Sequence, residues 1–262
     1  MNYSWTLTDV EFTALWAETK AGPLPTPLIA VSRIKNADRY EAHQLQARER
    51  LREMPDLDVP PLVETLAHPD ITLALNGWDT RTPGNPGGLI RVHAARSGAD
   101  GIVVREIPGE TSVYSNGFVL TRCHAVELAR VAVEQLPVLP AGGLGEMVLV
   151  DPDDGLDYSY GRSAVRERAY AAQAPEDRAA RFLEAPTERM GGLEILQARS
   201  AFGPRGCSRY FLGWRDLPDD GRYLITDDTP SVVVPVDVAR LAARINTHIA
   251  VIVQTLREER VR

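Results

Sequence analysis

Tyr210-Phe211-Leu212-Gly213-Trp214, Asp219-Asp220-Gly221-Arg222-Tyr223-Leu224-Ile225 and Ser231-Val232-Val233-Val234-Pro235 follow one another in the last quarter of the chain and run straight into an amphipathic helix. Runs rich in aromatic and β-branched residues, separated by Asp/Gly turns, read as strands joined by hairpins. The helix from about residue 237 places Val238, Leu241, Ile245, Ile249, Ile252 and Leu256 three or four residues apart, a stripe that packs on the sheet. Val251 and Val253 lie off that stripe and serve either a second packing face or an exposed patch for a partner.

Working outward, the meander begins at Gly191-Gly192 with strands expected over 193–199, 208–214, 222–226 and 231–234. A looser copy of this plan stands earlier: from Gly87, strands are expected over 89–95, 101–107, 111–115 and 117–121, followed by a helix over 124–136 that ends at Pro137. Pro108-Gly109 and Asn116-Gly117 supply the turns, the second as a type I′ hairpin because both central residues need positive φ. Residue identity between the copies is weak, so duplication and a coincidence of common elements both stay open.

Ahead of the first copy, Thr8-Asp9-Val10-Glu11 has the form of a capping box and opens a helix over 9–20, with Phe12, Leu15 and Trp16 at helical spacing. The prolines between Gly22 and Pro27 end it and form a stiff connector. A charged helix over 36–54, a short helix over 60–67 and a strand over 71–75 follow. Residues 137–146 read as a linker, 147–150 as a strand and 159–183 as helix broken near Pro175. The fold class read from these elements is α+β with an antiparallel sheet, each of the two copies a β-meander followed by a helix. The expected division is a single domain over 1–262, with subdomain 1 over about 1–136, a linker over about 137–146 and subdomain 2 over about 147–262. Hairpin connections set it apart from doubly wound folds, which need a helix between each pair of strands.

The 262 residues can bury roughly 70 to 75% of the unfolded surface. At 44% hydrophobic and 25% charged the chain has an ordinary globular composition. Its net charge of −7 argues against nucleic acid as a partner, since phosphate binding requires clustered Lys and Arg. The N-terminus lacks the basic and apolar regions of a signal peptide, and no apolar run reaches membrane-spanning length, so a cytoplasmic protein without membrane insertion is expected.

Residues able to do covalent chemistry are not arranged for it. His43, His68, His93, His124 and His248 lack any spacing that puts two metal ligands on one helix face. Cys123 and Cys207 are too few for a disulfide framework or a zinc site and read as reduced thiols. Adjacency of Cys123 and His124 works against contact, because neighbours diverge on strands and helices alike. Asp151-Pro152-Asp153-Asp154-Gly155 fails the EF-hand pattern, with glycine one place early and Arg162 where the closing glutamate belongs. The glycine-rich 83–88 and 142–145 match no phosphate-binding motif, and no Gly-x-Ser-x-Gly elbow occurs. No cofactor, metal or catalytic group is expected.

Phe202-Gly203-Pro204-Arg205-Gly206, Trp214-Arg215-Asp216, Asp220-Gly221-Arg222-Tyr223-Leu224, and Val234-Pro235-Val236-Asp237 with Leu241-Ala242-Ala243-Arg244-Ile245 together resemble the C-terminal end of the EspG family of ESX secretion-associated proteins. The opening Leu7-Thr8-Asp9-Val10-Glu11-Phe12 with Leu15-Trp16 is similar to the family's start, so the resemblance spans essentially the full length. The segment between Phe202 and Trp214 is shorter and less basic than is common in the family, which bears on the choice of client. The resemblance implies an α+β fold of two pseudo-symmetric subdomains around a central sheet with helical layers, and a cytosolic, non-enzymatic chaperone of type VII secretion that holds the helical tip of the PPE subunit of a PE–PPE pair. The implied surface is the central sheet, a loop between early strands (Arg96, Ser97, Gly98 and Asp100) and the C-terminal helix (Arg244, His248, Val251 and Ile252). Two other classes stay in view: a small-molecule enzyme or binder using a cavity between the copies, with Cys123, His93 or His124 lining it, and a homodimeric structural protein.

Overall fold

The computed structural model describes residues 2–149 and 175–261. In chain order the elements are β1 (Tyr3–Leu7), α1 (Asp9–Glu18), α2 (Ala37–Glu53), α3 (Val59–Ala67), β2 (Ile71–Asp79), β3 (Ile90–Ser97), β4 (Asp100–Pro108), β5 (Ser115–His124), α4 (Leu128–Val133), β6 (Met147–Leu149), α5 (Pro175–Glu184), β7 (Arg189–Gln197), β8 (Arg209–Leu217), β9 (Gly221–Thr226), β10 (Ser231–Pro235) and α6 (Val238–Val261). Ten strands form one antiparallel sheet in the order β1-β5-β4-β3-β2-β7-β8-β9-β10-β6. Its two halves follow the same plan outward from the β2–β7 seam: three further strands of a meander, then an edge strand that came earlier in the chain. The α+β class with two pseudo-symmetric meanders is therefore the observed architecture.

One face of the sheet is covered by α4 and α6. Ile71, Leu73 and Leu75 of β2, Leu193 and Ile195 of β7, and Leu212 and Trp214 of β8 point into this core, as do Leu241, Ile245, Ile249 and Ile252 of α6. On the other face α1, α2 and α3 cover the first half through Phe12, Leu15, Leu51, Leu62 and Leu66. The second half carries a smaller cluster there, around Phe182 of α5 and Tyr223 of β9. Period-2 alternation allows a strand to serve both cores, and in β4 Val103 faces the first while Ile102 and Val104 face the second.

Local chemistry explains several boundaries. Thr8 caps α1 by accepting from the Glu11 N–H at 3.2 Å while the Glu11 carboxylate accepts from the Thr8 N–H at 2.9 Å, the capping box expected from sequence. Asn36 caps α2 by accepting from the Arg39 N–H. Gly77 and Gly191 pair across the seam, and a side chain on either has no room: a Cβ at Gly77 would stand 2.3 Å from the Trp214 ring, and one at Gly191 would stand 2.0 Å from the Asn76 carbonyl oxygen. The indole lies in the space Gly77 leaves, and its N–H donates to the Asn76 carbonyl at 3.1 Å.

Four expectations need correction. Asn116-Gly117 does not turn a hairpin, because β5 runs unbroken from Ser115 to His124; Gly117, at φ 132°, is needed where Leu7 of β1 presses on the strand, and the reversal comes earlier, where the Gly109 N–H donates to the Tyr114 carbonyl. The repeat is offset by one strand, since β7 answers to β2 and not to β3; the false fourth strand was the one expected over 111–115, where the chain is loop up to Tyr114. β2 extends past Leu75 to Asp79, and Tyr3–Leu7 forms an edge strand that was not expected. Residues 137–146 are more than a tether: Arg222 of β9 donates its N–H to Pro140 and accepts the Gly142 N–H, and the Leu144 N–H donates to the Tyr223 hydroxyl. The expected acidic turn at Asp151–Gly155, the end of the 147–150 strand and the 159–174 part of the expected helix lie outside the described residues.

Candidate partner-binding surface

On the face opposite α4 and α6 the seam is partly exposed, and among the described residues no helix packs across it. Cross-strand register sets its rows: Thr72–Leu196–Arg209, Ala74–Glu194–Phe211, Asn76–Gly192–Gly213 and Trp78–Met190–Arg215. These residues alternate with the buried Leu73, Leu75, Leu193, Ile195, Leu212 and Trp214, so they face the other way. Helices α1 to α3 flank the strip on one side and α5 on the other. Phe211 remains 52% exposed and Trp78 42% exposed. Glycine again makes the room: a Cβ at Gly192 would stand 2.9 Å from the Phe211 ring, and the Asn76 side-chain oxygen accepts the Gly192 N–H at 3.1 Å. The polar groups of the strip are held in place. Glu194 pairs with Arg209, and Arg215 donates to the Phe182 and Ala185 carbonyls while lying 4.6 Å over the Phe182 ring. Burial lowers the Arg215 pKa. The result is a shallow apolar patch with fixed charges around it, a surface suited to another polypeptide.

The loop residues singled out from sequence sit at one end of this strip. Arg96 and Ser97 end β3, Gly98 turns at φ 61°, and Asp100 opens β4. Arg96 grips both carboxylate oxygens of buried Asp70, at 2.8 and 2.9 Å, and that carboxylate also accepts the Gly98 N–H at 3.0 Å. The turn is thus rigid, and Arg96 is engaged internally; Asp100 pairs with Arg122 at 3.0 Å and remains half exposed. At the same end the Glu259 carboxylate of α6 accepts from the Gln197 amide, the Ser200 hydroxyl and the Ala201 N–H, tying the helix to the 198–208 loop that displays Phe202. These contacts lower the Glu259 pKa, the Ala201 N–H most of all.

The α6 residues separate. Arg244 is exposed and, with Arg240, Ala243, Thr247, Val234 and Pro235, lines an open groove of about 630 Å³. His248 stacks on Tyr210 at 4.4 Å between ring centres, and burial lowers its pKa. Val251 is exposed, whereas Ile252 is wholly buried in the core and is closed to a partner in this conformation. The expectation for Ile252 therefore fails on its helical phase, one residue past the exposed Val251.

Cys123, His93 and His124 do not converge. Cys123 faces the α4 side of the sheet and burial pushes its thiol up to about 11; His93 lies on the opposite face, donating from Nδ1 to the Thr26 carbonyl; His124 is exposed at the end of β5. Cys123 and Cys207 are both free thiols. Among the described residues no group of three His, Cys, Asp or Glu is placed to hold a metal, and no helix is long and apolar enough to cross a membrane.

The family model described as the EspG family matches residues 8–247. The chain belongs to the EspG family. Comparison with curated protein sequences returns no match. Among solved structures, this EspG-family chain is similar to the Mycobacterium tuberculosis type VII secretion system chaperone EspG5, in that protein's complex with a PE25–PPE41 dimer; identity is 13%, coverage is 97% of each chain and the TM-score is 0.57. At that identity the likeness is one of fold, and it extends over both halves of the sheet.

Sequence reasoning named the central sheet but none of Trp78, Met190 and Phe211. The signal for Phe211 was available, because in Phe211-Leu212-Gly213-Trp214 alternation puts Phe211 on the face opposite Leu212 and Trp214. Trp78 had none, since Asn76-Gly77-Trp78-Asp79 reads as the end of a strand.

Proposed function

We propose that this EspG-family chain is a cytosolic chaperone of type VII secretion, one that holds the helical tip of the PPE subunit of a PE–PPE heterodimer, keeps it soluble and directs it to its own secretion system. In this reading the protein is a single domain of two subdomains, about 1–136 and 147–262, joined through 137–146. The client lies along the seam strip, with the turn carrying Ser97, Gly98 and Asp100 at one end of it, while Arg244 and Val251, exposed on α6 across the sheet, form a separate second contact. It works by stoichiometric capping, without turnover.

The observation that carries the reading is the partly exposed apolar strip of Trp78, Met190 and Phe211 on the seam between the halves. A folded sheet gains nothing from leaving two large aromatic rings in water, and a partner that buries them gains roughly 25 cal/mol per Å² of apolar area. The fixed charges of Glu194, Arg209 and Arg215 around the rings supply discrimination between clients. EspG5, similar in fold, is known in a complex with a PE–PPE dimer, which supports the choice of partner class.

Co-expression with PE–PPE pairs encoded beside the gene, followed by size-exclusion chromatography, tests it. A stable co-eluting complex is expected, and it should be lost when Phe211 and Trp78 are replaced together by serine. Separation of the chain from every such pair, or an intact complex with the double variant, would count against the reading.

A further inference from the structure

Away from the seam, α1, α2 and α3 line a half-open pocket of about 330 Å³, walled by Leu15, Leu51, Val59, Pro60 and Val63. That volume lies at the small end of ligand sites. Its floor is aliphatic and its mouth is cationic: Arg48 and Arg52, one helical turn apart on α2, lie over it, with Glu18 of α1 beside them. The Arg48 Nε is buried and stands 2.9 Å from a Glu18 oxygen, yet it is off line for a hydrogen bond and has no other partner among the described residues. Among the described residues Arg52 makes no ion pair. Two guanidiniums against one carboxylate leave the mouth with a surplus positive charge over an apolar floor.

We infer that this cavity binds a small amphiphilic carboxylate of the fatty-acid type. Its chain would lie on Leu15, Leu51, Val59 and Val63, and its carboxylate would meet Arg52 and share Arg48 with Glu18. Lining by helices favours such a ligand over an extended peptide: helical main-chain groups are already hydrogen-bonded to one another, so the walls give a peptide backbone nothing to pair with. Planar guanidinium at the mouth suits a carboxylate, which it can engage through two parallel N–H donors. The site is independent of client binding at the seam and stands or falls separately from it.

Isothermal titration of the full chain with decanoate, below its micelle concentration, tests the inference, with decylamine and decanol as probes of the head group. Saturable one-to-one binding of decanoate is expected, with decylamine at least about tenfold weaker because a buried charge would then face like charge. Arg52→Glu should weaken decanoate by about tenfold or more, and Val63→Trp, which fills the cavity, should abolish binding. Unchanged circular dichroism and retained co-elution with a PE–PPE pair would show that the variants fold. Absence of saturable binding, equal binding of the three probes, or binding indifferent to both variants would overturn the inference. So would protection of Val59 and Val63 by an acidic amphipathic helix in place of decanoate.

Discussion

Strand β8 carries two aromatic residues set on glycine, and they differ in what lies above them. On one face Trp214 rests where Gly77 leaves room and is sealed under the helical layer, 2% exposed; on the other Phe211 lies over Gly192 and is half in water. The same local device, an aromatic ring on a strand glycine, therefore builds the core on one side and an open surface on the other. Stability accounts for the first ring and leaves the second unexplained. That asymmetry is the main physical reason to assign the seam to a partner.

The comparison is broken most directly at the buried ring. Trp214→Ala removes a filled core position together with the indole hydrogen bond to Asn76, and should cost about 3 to 5 kcal/mol in urea unfolding. Gly77→Val should destabilise by a similar order, because its new methyls would occupy the ring's place. If Trp214→Ala cost no more than Phe211→Ala, the two faces would not differ in the way argued.

Much of the framework could be read without coordinates, and the gaps have physical causes. The strands β7 to β10 and the helix α6 were legible because alternation and helical spacing agree with the turn residues between them. β5 misled through Asn116-Gly117, a pair that favours a turn but here meets the backbone of β1, a contact between residues far apart in sequence. β2 was cut short at Leu75 for the same kind of reason, since Gly77 exists for a tryptophan on another strand. Ile252 illustrates the limit for site residues: helical spacing already puts it on the packing stripe, and only the family resemblance, which marks a region of α6 and not single positions, put it on a partner face. Asp70, which organises the Arg96 turn, carries no sequence signal at all.

His93 makes folding stability depend on pH. It is buried under the proline connector, and burial lowers its pKa to about 4 despite the bond to the Thr26 carbonyl. The unfolded chain takes up the proton near pH 6.5 while the folded chain does so only near 4, so stability falls as pH drops through that window and is unaffected above it. The effect is about 3 kcal/mol at most. His93→Gln should remove that part of the acid sensitivity, seen as urea midpoints that change less between pH 7 and 4. Equal pH profiles for the two proteins would show that His93 is accessible or paired.

At the exposed ring the expectation inverts. Phe211→Ala should change folding stability by about 1 kcal/mol or less, as for a half-exposed side chain, yet weaken a PE–PPE client by about 2 kcal/mol, roughly thirtyfold. Trp78→Ala should behave alike. Loss of stability without loss of client affinity would move Phe211 from the partner surface to the core.

The smallest expected effect lies where the seam strip meets the end of α6. Glu259 spends its carboxylate on Gln197, Ser200 and the Ala201 N–H, so it joins the helix that covers one face to the loop beside the open one. Glu259→Gln keeps an oxygen that can accept from Ala201 but loses the charge that strengthens all three bonds. Global unfolding should barely move, while amide exchange in the 199–202 segment should quicken and client affinity fall only slightly, because the loop borders the strip without carrying its aromatic rings. Were exchange to quicken along Trp78 and Phe211 as well, the two faces would be coupled through the end of the sheet. The open ring would then depend on the helix that buries Trp214, and the contrast between the faces would be one of degree.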